Sequence, residues 1–357
     1  MKNGVNIAGI SELAHEVREQ PEEGQFRYRA RASWQPAGGY EIQILPVLVG
    51  TVKAPRRFRM KLADGSRAAA TTAPADGGRF EPEELAMAGL GACAMLTFLS
   101  GCTTRGLAIT TLELDIGGLL RSATDNRPGG GRLTDLSYAV RLNAEGKGEQ
   151  FGEIAEALSA HSPNHRTLVE PNPVDARLGD ATPVDPDDAP VPVAETGTPH
   201  KVAIVWDYGF QIRARLPGPE GGSQRWLQID QPKQIGGIDK GPNPQEYLLA
   251  GMAASVLRGF VELAQAQELD PSGCAVVAAG RVDIRGMLGV GDDIPVKVQD
   301  LGCRLDTPVD FPRGPAEELL REAFRRSSVR ALIADANAVR IAVNGAGAEI
   351  CDFVSAS

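Results

Sequence analysis

Two long apolar runs interrupt a chain that otherwise alternates over short stretches. The first, Leu85 to Thr104, is uncharged, and its later counterpart carries Arg258. The first run is long enough to span a bilayer on length alone. Gly89, Gly91, Ser100 and Gly101 within it, and Arg258 in the counterpart, favour buried central helices instead. Ahead of each run the pattern has a period of two. RYRARASW (27–34) and YEIQILPVLV (40–49) precede the first; VAIVWDYGFQIRARL (202–216) and RWLQI (225–229) precede the second. These predict hairpin strands. Behind each run, apolar residues return at helical spacing, as Phe151, Ile154, Ala155 and Leu158 and then as Leu319, Leu320, Ala323 and Phe324. A short amphipathic helix is predicted from about Ile10 to Arg18.

The pattern occurs twice. PEELAMAGLGAC at 82–93 corresponds to PQEYLLAGMAAS at 244–255, and LDIGGLL at 114–120 to VDIRGML at 282–288. HSPNHRTLVEPNPVDARL and SSVRALIADANAVRIAV follow the second helix of each copy. The separations of 162, 168 and about 165 residues, held across three elements in order, are what duplication of a whole domain leaves. A length of 357 residues also fits two domains. The boundaries read as an N-terminal extension at 1–24, a first unit at 25–179, a Pro/Asp-rich linker at 180–199 and a second unit at 200–357. Clustered strands and few helices predict an α+β fold with antiparallel sheets.

Charge narrows the partners. With 37 Lys and Arg against 46 Asp and Glu, the chain carries a net charge of -9, which gives no electrostatic reason to seek nucleic acid or an anionic membrane. The first twenty residues hold one Lys and no long apolar core, so no secretory signal is expected. The five cysteines are irregularly spaced with no CxxC, consistent with reduced thiols and a cytoplasmic setting. The glycine-rich RPGGGR (127–132) and GPEGG (218–222) lack the Lys-Ser/Thr of a phosphate loop and read as hairpin turns. No G-x-S-x-G elbow is present.

PEELAMAGLGAC followed by TFLSGCTTRGLAI resembles the central-helix signature of the OsmC/Ohr family, the osmotically inducible and organic hydroperoxide resistance proteins. SPNHRTL resembles the family's second-cysteine loop. The resemblance covers about 25–178 and, more weakly, 198–350. It implies antiparallel sheets wrapped around central helices, with active sites between two units. Two tandem OsmC-like domains would then form a covalent pseudo-dimer, itself a monomer or part of a further homodimer. The family's reactive Cys reduces organic hydroperoxides and then pairs with a second Cys, while a Glu ten residues earlier holds an Arg near the sulfur. By this resemblance Cys93 is the reactive Cys and Glu83 the orienting Glu. Ser162 stands at the second-Cys position, and in the second copy Gln245 and Ser255 replace the Glu and the Cys. The first hairpin turn holds no Arg between Trp34 and Ile44; Arg29, Arg31, Arg56, Arg57 and Arg59 lie nearby in sequence.

His161 and His165 flank Ser162 in that loop. Three readings stand: one of them pairs with Cys93 as a base; the His-x-x-x-His spacing binds a metal, against which Pro163 interrupts the helix and no third ligand is apparent; or both are solvated or bonded to backbone. Cys93 itself is either a nucleophile or a small buried hydrophobe. The leading expectation is a one-Cys thiol peroxidase-like enzyme acting on an organic hydroperoxide or related small substrate, with Cys93 as nucleophile, an external thiol as reductant and no other cofactor or metal. The alternatives are a repurposed enzyme using Cys93 with His161 or His165 for non-peroxide chemistry, and a non-catalytic small-molecule-binding protein.

Overall fold

The computed structural model describes residues 1–63, 79–125, 127–180, 182–184, 189–218, 222–291, 293–345 and 348–357. Helix α1 spans Ile7–Glu19. Five strands follow: β1 (Gln25–Gln35), β2 (Gly39–Ile44), β3 (Val47–Val49), β4 (Val52–Ala54) and β5 (Arg59–Leu62). Next come β6 (Arg79–Phe80), the long helix α2 (Pro82–Thr104), β7 (Ile109–Ser122) and β8 (Gly131–Ala144). Helices α3 (Gly148–His161) and α4 (Pro163–Val169) lead into β9 (Val174–Leu178) and β10 (Thr182–Val184). The remainder opens with β11 (Thr198–Tyr208), β12 (Gln211–Leu216), β13 (Arg225–Ile229), helix α5 (Pro244–Ala266) and β14 (Ala275–Asp283). It closes with α6 (Ile284–Leu288), β15 (Gln299–Asp306), α7 (Arg313–Arg326), α8 (Ser328–Ala334), β16 (Val339–Gly345) and β17 (Ala348–Ser355). The fold is mixed α+β.

Both sheets draw strands from both halves of the chain. One runs β10-β9-β15-β14-β1-β2-β5-β6, with β3 and β4 attached through β1; the other runs β13-β12-β11-β7-β8-β16-β17. Strand β1 pairs antiparallel with β14, placing Ala30 opposite Ala278, and β11 pairs antiparallel with β7, placing Ile204 opposite Leu114. The strand after the short helix of each half crosses over as well: β9 lies parallel to β15, and β16 parallel to β8. The 180–199 segment therefore separates two stretches of sequence but not two cores, and a single buried cluster runs through both halves. Its described part includes β10, paired with β9, rather than extended linker throughout; residues 181 and 185–188 lie outside the described residues, as do 219–221 of the GPEGG turn.

Helices α2 and α5 are largely apolar because most of each is covered. Each packs on the other helix, α2 also on β7 and β11 and α5 on β1 and β14. Both are long and apolar enough to cross a membrane, yet most of each is buried inside the protein. Their close approach depends on glycine. A Cβ on Gly89 would fall 2.5 Å from the Pro244 carbonyl oxygen, and one on Gly251 would fall 2.7 Å from that of Pro82. Asn164, fully buried, ties the pair by donating to the carbonyl oxygens of Gly89 (2.9 Å) and Pro244 (3.1 Å).

The two halves part company at one matched segment. LDIGGLL continues as strand β7, whereas VDIRGML leaves β14 at Asp283 and coils into α6. Asp283 accepts a hydrogen bond from the Arg285 backbone N–H and pairs with its guanidinium, and Gly289, with φ of 65°, ends the turn. A side-chain cap and a left-handed glycine give the later segment a helix where the earlier one has neither.

Candidate functional site

Cys93 lies midway along α2, where that helix meets the α3–α4 junction and the start of α5. It is 4% exposed. Its Sγ accepts hydrogen bonds from Ser162 Oγ at 3.3 Å and Gln245 Nε2 at 3.6 Å, and the Asn164 backbone N–H adds a third donor. Burial is the stronger influence and holds the thiol above the ordinary cysteine range; the three hydrogen bonds pull the other way. Among the described residues no arginine donates to this sulfur. Arg56 is instead buried against Glu246 (2.7 Å) and Asp239, Arg31 pairs with Asp306, and Arg59 with Glu41.

Cys93 lines a cavity of about 570 Å³ whose other walls are mostly apolar, including Leu96, Ile154, Leu158, Phe210 and Ile235. Helix α1 supplies a further wall through Ile7, Ile10 and Leu13. The segment before it is pinned to the end of α2: Asn3 Nδ2 donates to Thr103 Oγ1 and to the Leu107 carbonyl, both at 3.0 Å. The remaining thiols are set in different surroundings. Cys102, Cys274 and Cys303 are buried, each pushed up to about 12 chiefly by burial, and Cys351 is half-buried on β17.

The expected partners of Cys93 are largely elsewhere. Glu83 accepts a hydrogen bond from Ser328 and lines a different cavity with Ser255, so it does not orient a cation beside Cys93. The crossing of the two central helices is the physical reason. Packing α2 against α5 sets the start of each helix beside the middle of the other, so Gln245 faces Cys93 while Glu83 faces the Ser255 neighbourhood. Nor does His165 act as a base toward Cys93. It is fully buried, its Nε2 bonds Ser355 Oγ at 2.9 Å, its ring leans on Tyr138, and burial depresses it to about 4. His161 ends α3, exposed, at the cavity that Cys93 lines, without a hydrogen bond to the sulfur. Ser162, between them, is the residue that reaches it. Among the described residues no three His, Cys, Asp or Glu side chains gather as a metal site, and the two histidines are split between surface and core.

Glu84 and Glu246 do what a carboxylate in a first helical turn does best. Glu84 accepts from the Glu81 backbone N–H at 2.9 Å, and Glu246 from that of Asn243 at 2.8 Å. Each also meets an arginine from the other half of the chain: Arg225 lies 2.6 Å from Glu84, and Arg56 lies 2.7 Å from Glu246.

Residues 75–177 match the family model "OsmC-like protein". The OsmC-like stretch carries Cys93, Glu83, Ser162 and both loop histidines. No curated protein matches the chain. Gln245 and the α1 wall lie outside that stretch and were not expected at the thiol. The signal for Gln245 was its place in PQEYLLAGMAAS at the position that Glu83 holds in PEELAMAGLGAC.

Proposed function

We propose that the chain is two OsmC-like units fused as a covalent pseudo-dimer, and that Cys93 is the single working thiol of a redox enzyme for an apolar organic hydroperoxide. The tandem reading is supported by the repeated element order and by strands exchanged between halves. The functional reading rests on one observation: Cys93 Sγ receives three hydrogen-bond donors and lines a cavity large and apolar enough for such a substrate. In the first step the Cys93 sulfur attacks the distal peroxide oxygen. The O–O bond breaks, the thiol proton passes to the departing alkoxide, and Cys–SOH and an alcohol remain. Ser162 offers no second thiol, so two equivalents of an external small thiol reduce the sulfenic acid, releasing water and a disulfide.

A binding role is the rival, favoured by the burial that holds the Cys93 thiol up and by the lack of a cation at its sulfur among the described residues. One experiment separates them. The wild type should consume cumene hydroperoxide with dithiothreitol and give a dimedone adduct at Cys93, and Cys93→Ser should lose both. An unmodified Cys93, with an apolar fluorescent probe held equally by wild type and Cys93→Ser, would leave the binding role.

A further inference from the structure

The Ser255 cavity, about 440 Å³ and so of small-molecule size, has a different chemistry from the one at Cys93. Serines and charged side chains line it. Ser327 Oγ donates to Ser255 Oγ at 2.8 Å, and Ser328 donates to Glu83. With its oxygen occupied by Ser327, the Ser255 O–H has, among the described residues, no acceptor nearer than Ser328 at 3.5 Å, which leaves it to a ligand.

The cations that line this cavity are already engaged. Arg258 bonds Glu81 at 2.5 Å and the Ala63 carbonyl at 2.9 Å. Arg326, buried, bonds Asp125 and the carbonyl oxygens of Arg127, Pro128 and Gly129. Two carboxylates are left over: neither Glu83 nor Glu262 has an ion-pair partner within 4 Å among the described residues. Glu262 is half-buried, and burial raises its carboxyl despite the more distant charges of Arg258 and Arg326. The β7–β8 turn keeps the wall bare of side chains. Gly129 (φ 64°) lies so close to Glu262 that a Cβ there would stand 2.9 Å from Oε2.

We propose that this second cavity binds a small primary amine bearing hydroxyl groups, of the amino-alcohol or amino-sugar class. The ammonium lies between Glu83 and Glu262, and the Ser255 hydroxyl donates to a ligand oxygen. An anionic ligand would meet arginines already neutralised by Glu81 and Asp125. This reading is independent of any chemistry at Cys93.

Titration calorimetry of the full chain with glucosamine and with ethanolamine tests it, with N-acetylglucosamine as the uncharged counterpart. At least one amine should bind. N-acetylglucosamine should bind at least tenfold more weakly than glucosamine, and Glu262→Gln should weaken amine binding about tenfold, the scale of one charge-assisted hydrogen bond. Ser255→Ala provides a second, milder loss in a variant that leaves every charge in place, and Cys93→Ser should bind as the wild type does. Failure of both amines to bind overturns the proposal. So does equal binding of N-acetylglucosamine, or affinity unchanged in both Glu262→Gln and Ser255→Ala.

Discussion

The Cys93 and Ser255 cavities are built from the same parts and differ in what those parts present. At each, a residue midway along a central helix meets a serine that precedes a short helix, Ser162 before α4 and Ser327 before α8. One cavity has a desolvated thiol, a neutral Gln245 amide and apolar walls. The other has a hydroxyl, the Glu83 carboxylate and further charges. Each cavity takes a polar group from the central helix of the opposite half, Gln245 at one and Glu83 at the other, so neither can be composed from one half of the chain. Gln245, uncharged where the matched position has Glu83, is the residue that meets the cysteine of the first half.

The most severe way to break this comparison is to remove the helix pair that both cavities share. Gly89→Val would drive a branched side chain into the Pro244 carbonyl and the Leu248 backbone nitrogen, where even a Cβ would sit at 2.5 and 2.7 Å. A loss of about 3 kcal/mol or more in urea unfolding is expected. Gly152→Ala in α3, where a Cβ would meet nothing within 4 Å, should instead hold or raise stability. Tolerance of Gly89→Val would show that the two helices need not touch there.

The next effect separates the two short helices. His165 stands third in α4, at the place that Arg330 holds in α8. Burial lowers it from an ordinary 6.5 to about 4, so the folded protein keeps the ring neutral while the unfolded chain takes up a proton below 6.5. The stabilisation is complete above that value and drains away as pH falls to about 4. The loss amounts to about 3 kcal/mol from this one group. Urea midpoints across that range should show the slope in wild type and not in His165→Gln; an equal slope in both would place its origin elsewhere.

Patterning carried the architecture further than the chemistry. The central helices, the hairpins before them and the amphipathic α3 and α7 were legible because burial of one face or all faces leaves a period in the sequence. Which strand pairs with which was not, since β1 suits β14 as well as any strand of its own half. Nor was the way α2 and α5 cross, and that decided the site: Glu83, ten residues before Cys93, is near it in sequence and belongs to the other cavity. Ser162 stood in view as a missing cysteine, and its use as a hydrogen-bond donor to Cys93 appeared only with the loop in place. His165 reads on paper like its exposed neighbour His161. Its burial follows from α4 packing, which has too few residues to leave a period.

A smaller change sharpens the cross-supply. Gln245→Glu gives the Cys93 cavity the charge that Glu83 brings to the other one. A carboxylate beside the sulfur repels the thiolate, so iodoacetamide labelling of Cys93 at pH 8 should slow roughly tenfold, one pKa unit. Glu83→Gln should leave that rate unchanged despite its position ten residues before the cysteine. Slower labelling in Gln245→Glu alone supports the crossed arrangement; a response to Glu83→Gln alone would reverse it.

The finest distinction lies between the two serines. Ser327 Oγ accepts from the Arg330 backbone N–H at 3.1 Å, capping α8, while also donating to Ser255. Ser162 makes no such cap on α4, and its hydroxyl goes to the Cys93 sulfur. Ser327→Ala therefore strands a helix N–H and should cost about 1 kcal/mol. Ser162→Ala removes a donor from a weak acceptor that keeps Gln245, so about half a kcal/mol or less is expected. Its mark should appear in reactivity, because a thiolate that loses a donor is harder to form. Paired urea unfolding curves and labelling rates for the two variants read both quantities. A larger stability loss from Ser162→Ala than from Ser327→Ala would mean that the bond to sulfur holds the α3–α4 junction in place, and the equivalence of the two serines would then be one of position without division of labour.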